Sequence, residues 1–283
     1  MNKVIIMTGG SSGIGKCTAD MFRKKGDLVY SLAREIDSDY PDFSYVCDVS
    51  NEEEVKKVIT EIGEKYGHID VLVNCAGFGV SGALELIPTE TFRKIMDVNV
   101  LGVHLCSKYS LPYMTKGAKI INISSACGIW SVPFRGMYCT SKAAVLFYSY
   151  AQRMELCEAG IDVCAICPGD VKSNFSKNRV KNFETNERYG DRVEQAVAFV
   201  DRHEEKRMPP ERVATVIVDQ TYKRKSAPMK IVSRSFNLFH FLLRFFPVRF
   251  ELFMINTLFG GGKLKSKKSA ETTEVKSEEK ESN

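Results

Sequence analysis

The chain is poor in histidine and shows no cysteine pattern, and both shortages narrow what it can do. His68, His104, His203 and His240 lie far apart without ligand-like spacing, which argues against a metal site. The nine cysteines are odd in number, scattered and mostly set in apolar runs, which favours a reduced, cytosolic setting. Cys164 and Cys167 have the CxxC spacing but fall in a predicted strand, where positions three apart face opposite sides. No secretory leader is expected, because Met1-Asn2-Lys3 runs straight into a predicted strand at 4–7. No internal repeat is found. Nor is there an unbroken apolar run of membrane-spanning length: the Phe-rich stretch 236–259 is interrupted by Arg244, Pro247, Arg249 and Glu251.

What is present reads as one α/β domain. With 283 residues, 44% of them hydrophobic and 27% charged, the chain can bury a large core. Apolar strands are predicted at 4–7, 28–33, 45–47, 71–74, 119–124, 161–167 and about 229–232. Helices are predicted at 13–25, from Asn51 to about 66, at about 89–114 with an interruption near Pro112, at 138–159 and at 209–223. Strands that are apolar throughout and separated by helices imply a doubly wound parallel sheet covered on both faces. The stretch 173–208 is polar, with few strand or helix signals. Residues 263–283 are almost devoid of apolar side chains, so a disordered tail is expected beyond a domain of residues 1–262.

Two local patterns carry chemistry. Thr8-Gly9-Gly10-Ser11-Ser12-Gly13-Ile14-Gly15 follows a strand and opens a helix, the context in which glycines admit a pyrophosphate to a helix N-terminus. Ser11 and Ser12 add hydroxyls for phosphate. Tyr138 and Lys142 are four apart on a predicted helix and share a face. A nearby ammonium is expected to favour the phenolate and bring the phenol toward useful proton transfer. Ser125 lies upstream, with Ser124 as its competitor. Together these groups could protonate an alkoxide or deprotonate an alcohol while another group moves a hydride.

On these motifs the chain resembles the short-chain dehydrogenase/reductase family from about residue 3 to 232. The family's TGxxxGxG turn is matched by Thr8 to Gly15, and its NNAG stretch by Asn74-Cys75-Ala76-Gly77, with Cys75 in place of the second Asn. The resemblance implies a Rossmann-like sheet and a catalytic tetrad of Asn99, Ser125, Tyr138 and Lys142, Asn99 linking to Lys142 through water. The 13-residue spacing to Tyr138 selects Ser125 over Ser124. Cofactor contacts are implied for Gly9, Ser11, Ser12, Gly13, Ile14 and Gly15, and for Asp48 and Val49 at the adenine. Asn74, Ala76 and Gly77, Tyr138 and Lys142, and Pro168, Gly169, Val171 and Ser173 at the nicotinamide complete the set.

At the end of the second strand stand Ala33 and Arg34 rather than an acid, which favours the 2′-phosphate of NADP(H), with NAD(H) as the alternative. Glu35 could instead pair with Arg34. The short link between the second and third strands, and the run Ser131 to Tyr138, are similar to family members acting on steroid- or lipid-like carbonyls, so an apolar ketone or alcohol substrate is expected. The resemblance also implies a homo-oligomer, a dimer or tetramer. A cofactor-binding regulatory protein of the same fold is disfavoured, because every tetrad position is filled.

The net charge of +5 is unevenly placed: residues 223–268 hold eleven Lys or Arg against one acid, Glu251, which points to an anionic partner. Within them, 236–259 contains eight of the 17 Phe. On a helix Asn237, His240 and Arg244 would share one stripe, and apolar residues would fill the rest. This fits peripheral membrane contact through 236–268 or an apolar wall over the substrate, with a subunit contact or core covering as plainer readings. Nucleic acid is disfavoured, since the Phe residues are too tightly clustered for a solvated stacking surface.

Overall fold

Val4–Thr8 form β1, five successive buried residues that can be satisfied only at the centre of a covered sheet. The computed structural model describes residues 2–172, 179–201 and 207–260. After β1 come α1 (Gly13–Lys24), β2 (Leu28–Ala33), β3 (Ser44–Val46), α2 (Glu52–Tyr66), β4 (Val71–Asn74) and the two-residue β5 (Val80–Ser81). Then follow α3 (Thr89–Met96), α4 (Gly102–Ser110), β6 (Lys119–Ile123), α5 (Gly136–Glu155) and β7 (Asp162–Cys167). The rest comprises β8 (Val180–Lys181), α6 (Arg192–Asp201), α7 (Pro210–Tyr222), β9 (Met229–Ile231), α8 (Arg234–Leu243) and α9 (Val248–Phe259).

Seven strands make one sheet in the order β3-β2-β1-β4-β6-β7-β9, every pair parallel, while β5 and β8 pair apart from it. Side chains alternate along each strand, so Val4 and Ile6 serve one face and Ile5 and Met7 the other. The first face is covered by Val55, Ile59 and Ile62 of α2 and Leu105 of α4, and α5 extends that cover with Leu146. The second packs on Ala19 and Phe22 of α1 and Val213 and Ile217 of α7. Each large side chain buried this way contributes roughly 1.5–3 kcal/mol. Cys164 lies in the second layer and Cys167 in the layer under α5, so the CxxC pair is split across the sheet.

Local chemistry sets the ends of α2. Asn51 Oδ1 accepts from the amides of Glu53 and Glu54, three glutamates occupy the first turn, and Gly67 closes the helix in the left-handed region at φ +70°. The sheet is doubly wound and Rossmann-like: strand order reverses between β1 and β4, the switch point at whose C-terminal ends such sheets form a crevice.

Three expectations need correction. The predicted helix 89–114 has its expected interruption at the 3₁₀ turn Leu111–Tyr113 that holds Pro112, but it also contains an unexpected π-turn at Asp97–Leu101. The stretch 173–208 contains α6, whose Val193, Ala196 and Val197 are buried at helical spacing. Residues 236–259 form two helices, α8 and α9, parted at Pro247. Ser173 and the tail 263–283 lie outside the described residues.

Candidate active site

The crevice opens where the loop after β1 meets the loop after β4. Thr8 Oγ1 accepts from the amides of Cys75 and Ala76, both at 3.0 Å, and ties the two loops together. Gly9 turns there at φ +67°, and Gly15 lies so close beneath that a Cβ would stand 2.0 Å from the Gly9 carbonyl oxygen. Ser12 precedes the first turn of α1, its side chain makes no capping bond, and no acid lies in that turn. The helix therefore presents uncapped N–H groups and the positive end of its dipole to the crevice. Ser11, Gly13 and Ile14 line the same turn. A glycine-floored helix N-terminus free of acids suits a pyrophosphate, so these residues fit a dinucleotide.

Beyond β2, Arg34 and Glu35 are both exposed, and no ion pair among the described residues joins them. Arg34 is near enough to act on Asp48. Burial would raise that carboxyl, but the Ser50 hydroxyl and amide and the Arg34 and Lys94 charges hold it below the usual range. Val49 is buried against Gly102. A neighbouring ion cluster gave no motif signal: Asp37, nearly inaccessible, receives Lys16 and Arg23, each at 3.1 Å. The cluster braces the loop after β2. Asn74 turns away from the crevice, since its Nδ2 donates to Asn122 Oδ1 (2.8 Å), and Asn122 Nδ2 donates on to Ser149 of α5 (2.9 Å).

The residues expected to react lie across Gly77. A Cβ there would be 2.9 Å from Asn99 Oδ1 and 3.4 Å from Lys142 Nζ, so the two tetrad positions border one spot. Asn99 sits in the π-turn, a rare geometry that recurs at functional sites. Its Oδ1 accepts from the Phe78 amide, and its Nδ2 donates to the Phe78 carbonyl and to Ser141 Oγ, all at 3.0 Å. Lys142 Nζ donates to the Ile123 carbonyl at 2.8 Å, at the end of β6. Ser124 is committed elsewhere, donating to the Lys142 carbonyl at 2.7 Å. Ser125 accepts from the Cys127 amide at 3.1 Å and hydrogen-bonds the Tyr138 phenol.

The electrostatics differ from the expected phenol lowered by a lysine. Burial is the largest influence on Tyr138 and raises it above its ordinary value; the Ser125 hydroxyl and the Arg135 guanidinium pull the other way. Burial also pushes the Lys142 ammonium down, to about 8, so its charge is conditional near neutrality. Three neighbours carried no motif signal. Arg135 reaches Cys127 Sγ at 3.9 Å, and the Cys139 thiol and Arg135 hold the Cys127 thiol below its usual value despite burial. Arg135 follows Phe134, a left-handed residue at φ +60° whose ring meets Tyr189 at 6.0 Å and the Arg192 guanidinium at 5.5 Å. Such a conformation costs on the order of 1–3 kcal/mol, and these contacts hold it in place.

The far wall comes from the C-terminal helices. The Ala126 amide donates to the Pro168 carbonyl at 2.8 Å, and Phe236 lies so close on Gly169 that a Cβ would stand 2.4 Å from its ring. Val171 is half-buried and bridges to Met208. Trp130, five residues after Ser125, packs edge-on against Phe236, Phe239 and His240. Among the described residues, no group of three or more His, Cys, Asp or Glu could hold a metal ion.

Known proteins match this arrangement. The family model for short chain dehydrogenase covers residues 3–184. A 3-ketodihydrosphingosine reductase of Bacteroides thetaiotaomicron is 36% identical over 233 residues, 81% of this chain and 86% of that one. A short-chain dehydrogenase structure from Streptomyces avermitilis superposes with a TM-score of 0.76 at 27% identity, over 93% of this chain and 100% of that one. ElxO, solved with NADP bound, gives a TM-score of 0.67 at 28% identity, over 82% and 97%. With its matching sheet, glycine turn and family model, the chain belongs to the short-chain dehydrogenase/reductase family of nicotinamide-dependent oxidoreductases acting on CH–OH groups.

Proposed function

We propose that this protein interconverts a ketone and a secondary alcohol with NADP(H), on an apolar, lipid-like substrate. The observation that carries the reading is that Asn99 and Lys142 border one spot at Gly77, on the loop that Thr8 ties to the glycine turn, while Ser125 hydrogen-bonds the Tyr138 phenol one helical turn before Lys142. Gly9, Ser11, Ser12, Gly13, Ile14 and Gly15 would hold the pyrophosphate, Arg34 the 2′-phosphate, and Asp48 and Val49 the adenine. Ala76, Gly77 and the backbone of Asn74 would lie along the cofactor, Tyr138 and Lys142 at the ribose, and Pro168, Gly169, Val171 and Ser173 at the nicotinamide. When bound, the nicotinamide supplies or accepts the hydride.

In reduction, the Ser125 and Tyr138 hydroxyls hold the carbonyl oxygen. As negative charge develops on that oxygen, the Tyr138 O–H bond breaks, its proton passes to the oxygen, and a phenolate remains. The phenol is protonated at neutral pH; burial makes the phenolate costly to form, and the Ser125 hydroxyl and Arg135 guanidinium offset part of that cost. The Lys142 ammonium, with its pKa near 8, returns a proton to the phenolate through water bordering Asn99. Exposed Arg34, free of Glu35, supports NADP(H), as does the NADP bound in ElxO. The apolar wall of Trp130, Phe236 and Phe239, and the keto-lipid in the name of the Bacteroides relative, support the substrate class. The same reading includes a cytoplasmic homo-oligomer, a dimer or tetramer, for which exposed Phe147 and Met154 on α5 offer a contact, and a membrane-facing segment at 236–268.

The test is consumption of NADPH across a series of apolar ketones, repeated with NADH. Long-chain ketones are expected to be reduced, with NADPH preferred by about tenfold or more, the range of one charge-assisted phosphate contact. Consumption of no ketone with either cofactor would overturn the reading.

A further inference from the structure

The hairpin α8–α9 is held to the body of the protein at a few points, while Asn237, Asn256, Thr257 and its three arginines stay exposed. Asn237 Nδ2 donates to the Ile231 carbonyl at 3.0 Å, His240 packs on Trp130, and Leu243 and Ile255 are buried. Arg192 Nε fastens the far end by donating to the Gly260 carbonyl at 3.1 Å. The outer face is left to large apolar side chains: Leu238, Phe241, Phe245, Phe246, Phe250 and Phe253 are all exposed, Phe245 at 72% and Phe253 at 65%. Among the described residues, Phe241 meets Phe245 at 5.3 Å and Phe246 meets Phe250 at 4.7 Å. Large exposed aromatic side chains gathered on one hairpin of a folded surface mark an interaction site.

Its charge selects the occupant. Arg234, Arg244 and Arg249 are exposed on the same hairpin, and no ion pair among the described residues holds them. In the sequence, Lys263, Lys265, Lys267 and Lys268 follow directly. A second copy of the chain is a poor partner, because a two-fold contact would set arginine against arginine with the half-buried Glu251 as the single acid. The chain's own residues 261–283 are poor cover, since Leu264, Ala270 and Val275 are their sole aliphatic side chains. Aromatic side chains rimmed by cations match the boundary between headgroups and acyl chains of an anionic bilayer. No helix among the described residues is long and apolar enough to cross a membrane, so the contact is one of lying on the surface.

We propose that α8–α9 docks the protein on an anionic lipid bilayer, with Phe241, Phe245, Phe246 and Phe253 entering the interface and Arg234, Arg244 and Arg249 facing lipid phosphates. The docking deepens the membrane-facing reading of 236–268 and rests on it, and it does not depend on the reaction. It sets Phe236 and Trp130, the wall beside Ser125, directly beneath the lipid surface.

The experiment is flotation of the full chain with vesicles of phosphatidylcholine and phosphatidylglycerol, against vesicles of phosphatidylcholine alone. NADPH binding and the mass in solution are measured on the same samples. Wild-type protein is expected to float with the anionic vesicles and to be released by high salt. Phe241→Ser with Phe245→Ser is expected to lower binding by about tenfold or more, and Arg244→Glu with Arg249→Glu to abolish the preference for anionic lipid. Both variants keep NADPH binding, because neither pair touches the crevice. Flotation unchanged by the Phe substitutions would leave a membrane contact elsewhere in 236–268 and overturn the hairpin as the docking face. Absence of wild-type flotation overturns both, and a dimer dissolved by the Phe substitutions overturns the docking in favour of a second copy.

Discussion

Lys142 carries opposite consequences for activity and stability. Its amine is buried in the polar floor of the site, and its pKa falls from 10.5 to about 8. Between those values the unfolded chain binds the proton and the folded chain does not, so this group makes stability rise with pH from about 8 toward 10.5. Below about 8 both states are protonated and the cost of burying the charge is fully present, about 3 kcal/mol. Lys142→Met removes that cost and loses the bond to the Ile123 carbonyl, about 1 kcal/mol. The variant should therefore be about 2 kcal/mol more stable at pH 7, with the gain shrinking by pH 10, as read from urea unfolding at each pH. Its reductase activity should be lost. A destabilised Lys142→Met at pH 7 would contradict the buried charge. Motif spacing placed Tyr138 and Lys142 together, but it could not tell which would be tuned, because burial is a property of the packed site.

The strands β4 and β6 and the helix α5 are joined by a buried relay from Asn74 through Asn122 to Ser149, which donates to the Val145 carbonyl at 2.6 Å. Asn122 is fully buried. Asn122→Ala should cost about 3 kcal/mol or more, because it leaves the Asn74 amide and the Ser149 hydroxyl short of a partner. The urea midpoint should fall while the slope of the unfolding curve stays unchanged. Replacing Asn74 and Asn122 together by Val should recover part of the loss, since no buried amide then remains unpaired. Continuous apolar runs made the strands of this sheet legible, and Asn51 marked the start of α2 by cap chemistry. The π-turn at Asn99 gave no sign, because its residues suit a regular helix and the break comes from bonds to Phe78, 21 residues away. The α6 signal in Val193, Ala196 and Val197 was present but short, and polar flanks obscured it.

Across the whole molecule, what could be read in advance was whatever depends on spacing along the chain. The glycine turn after β1 and the apolar strands of the parallel sheet are of this kind, whereas the tetrad positions came from the family resemblance. Contacts that join distant stretches were not legible. Phe236 on Gly169 and Trp130 against α8 come from packing between segments with no shared motif. The direction faced by the Phe-rich hairpin is another such property, because Trp130 is brought against His240 and the Ile231 carbonyl against the still exposed Asn237 by packing alone. The account depends on Tyr138 as the proton donor, and Tyr138→Phe addresses it most directly. NADPH binding and ketone turnover would be measured on the same preparation, with the ring kept and the hydroxyl removed. The account predicts wild-type NADPH affinity with turnover lower by about 10²–10⁴; turnover near the wild-type rate in Tyr138→Phe would contradict it.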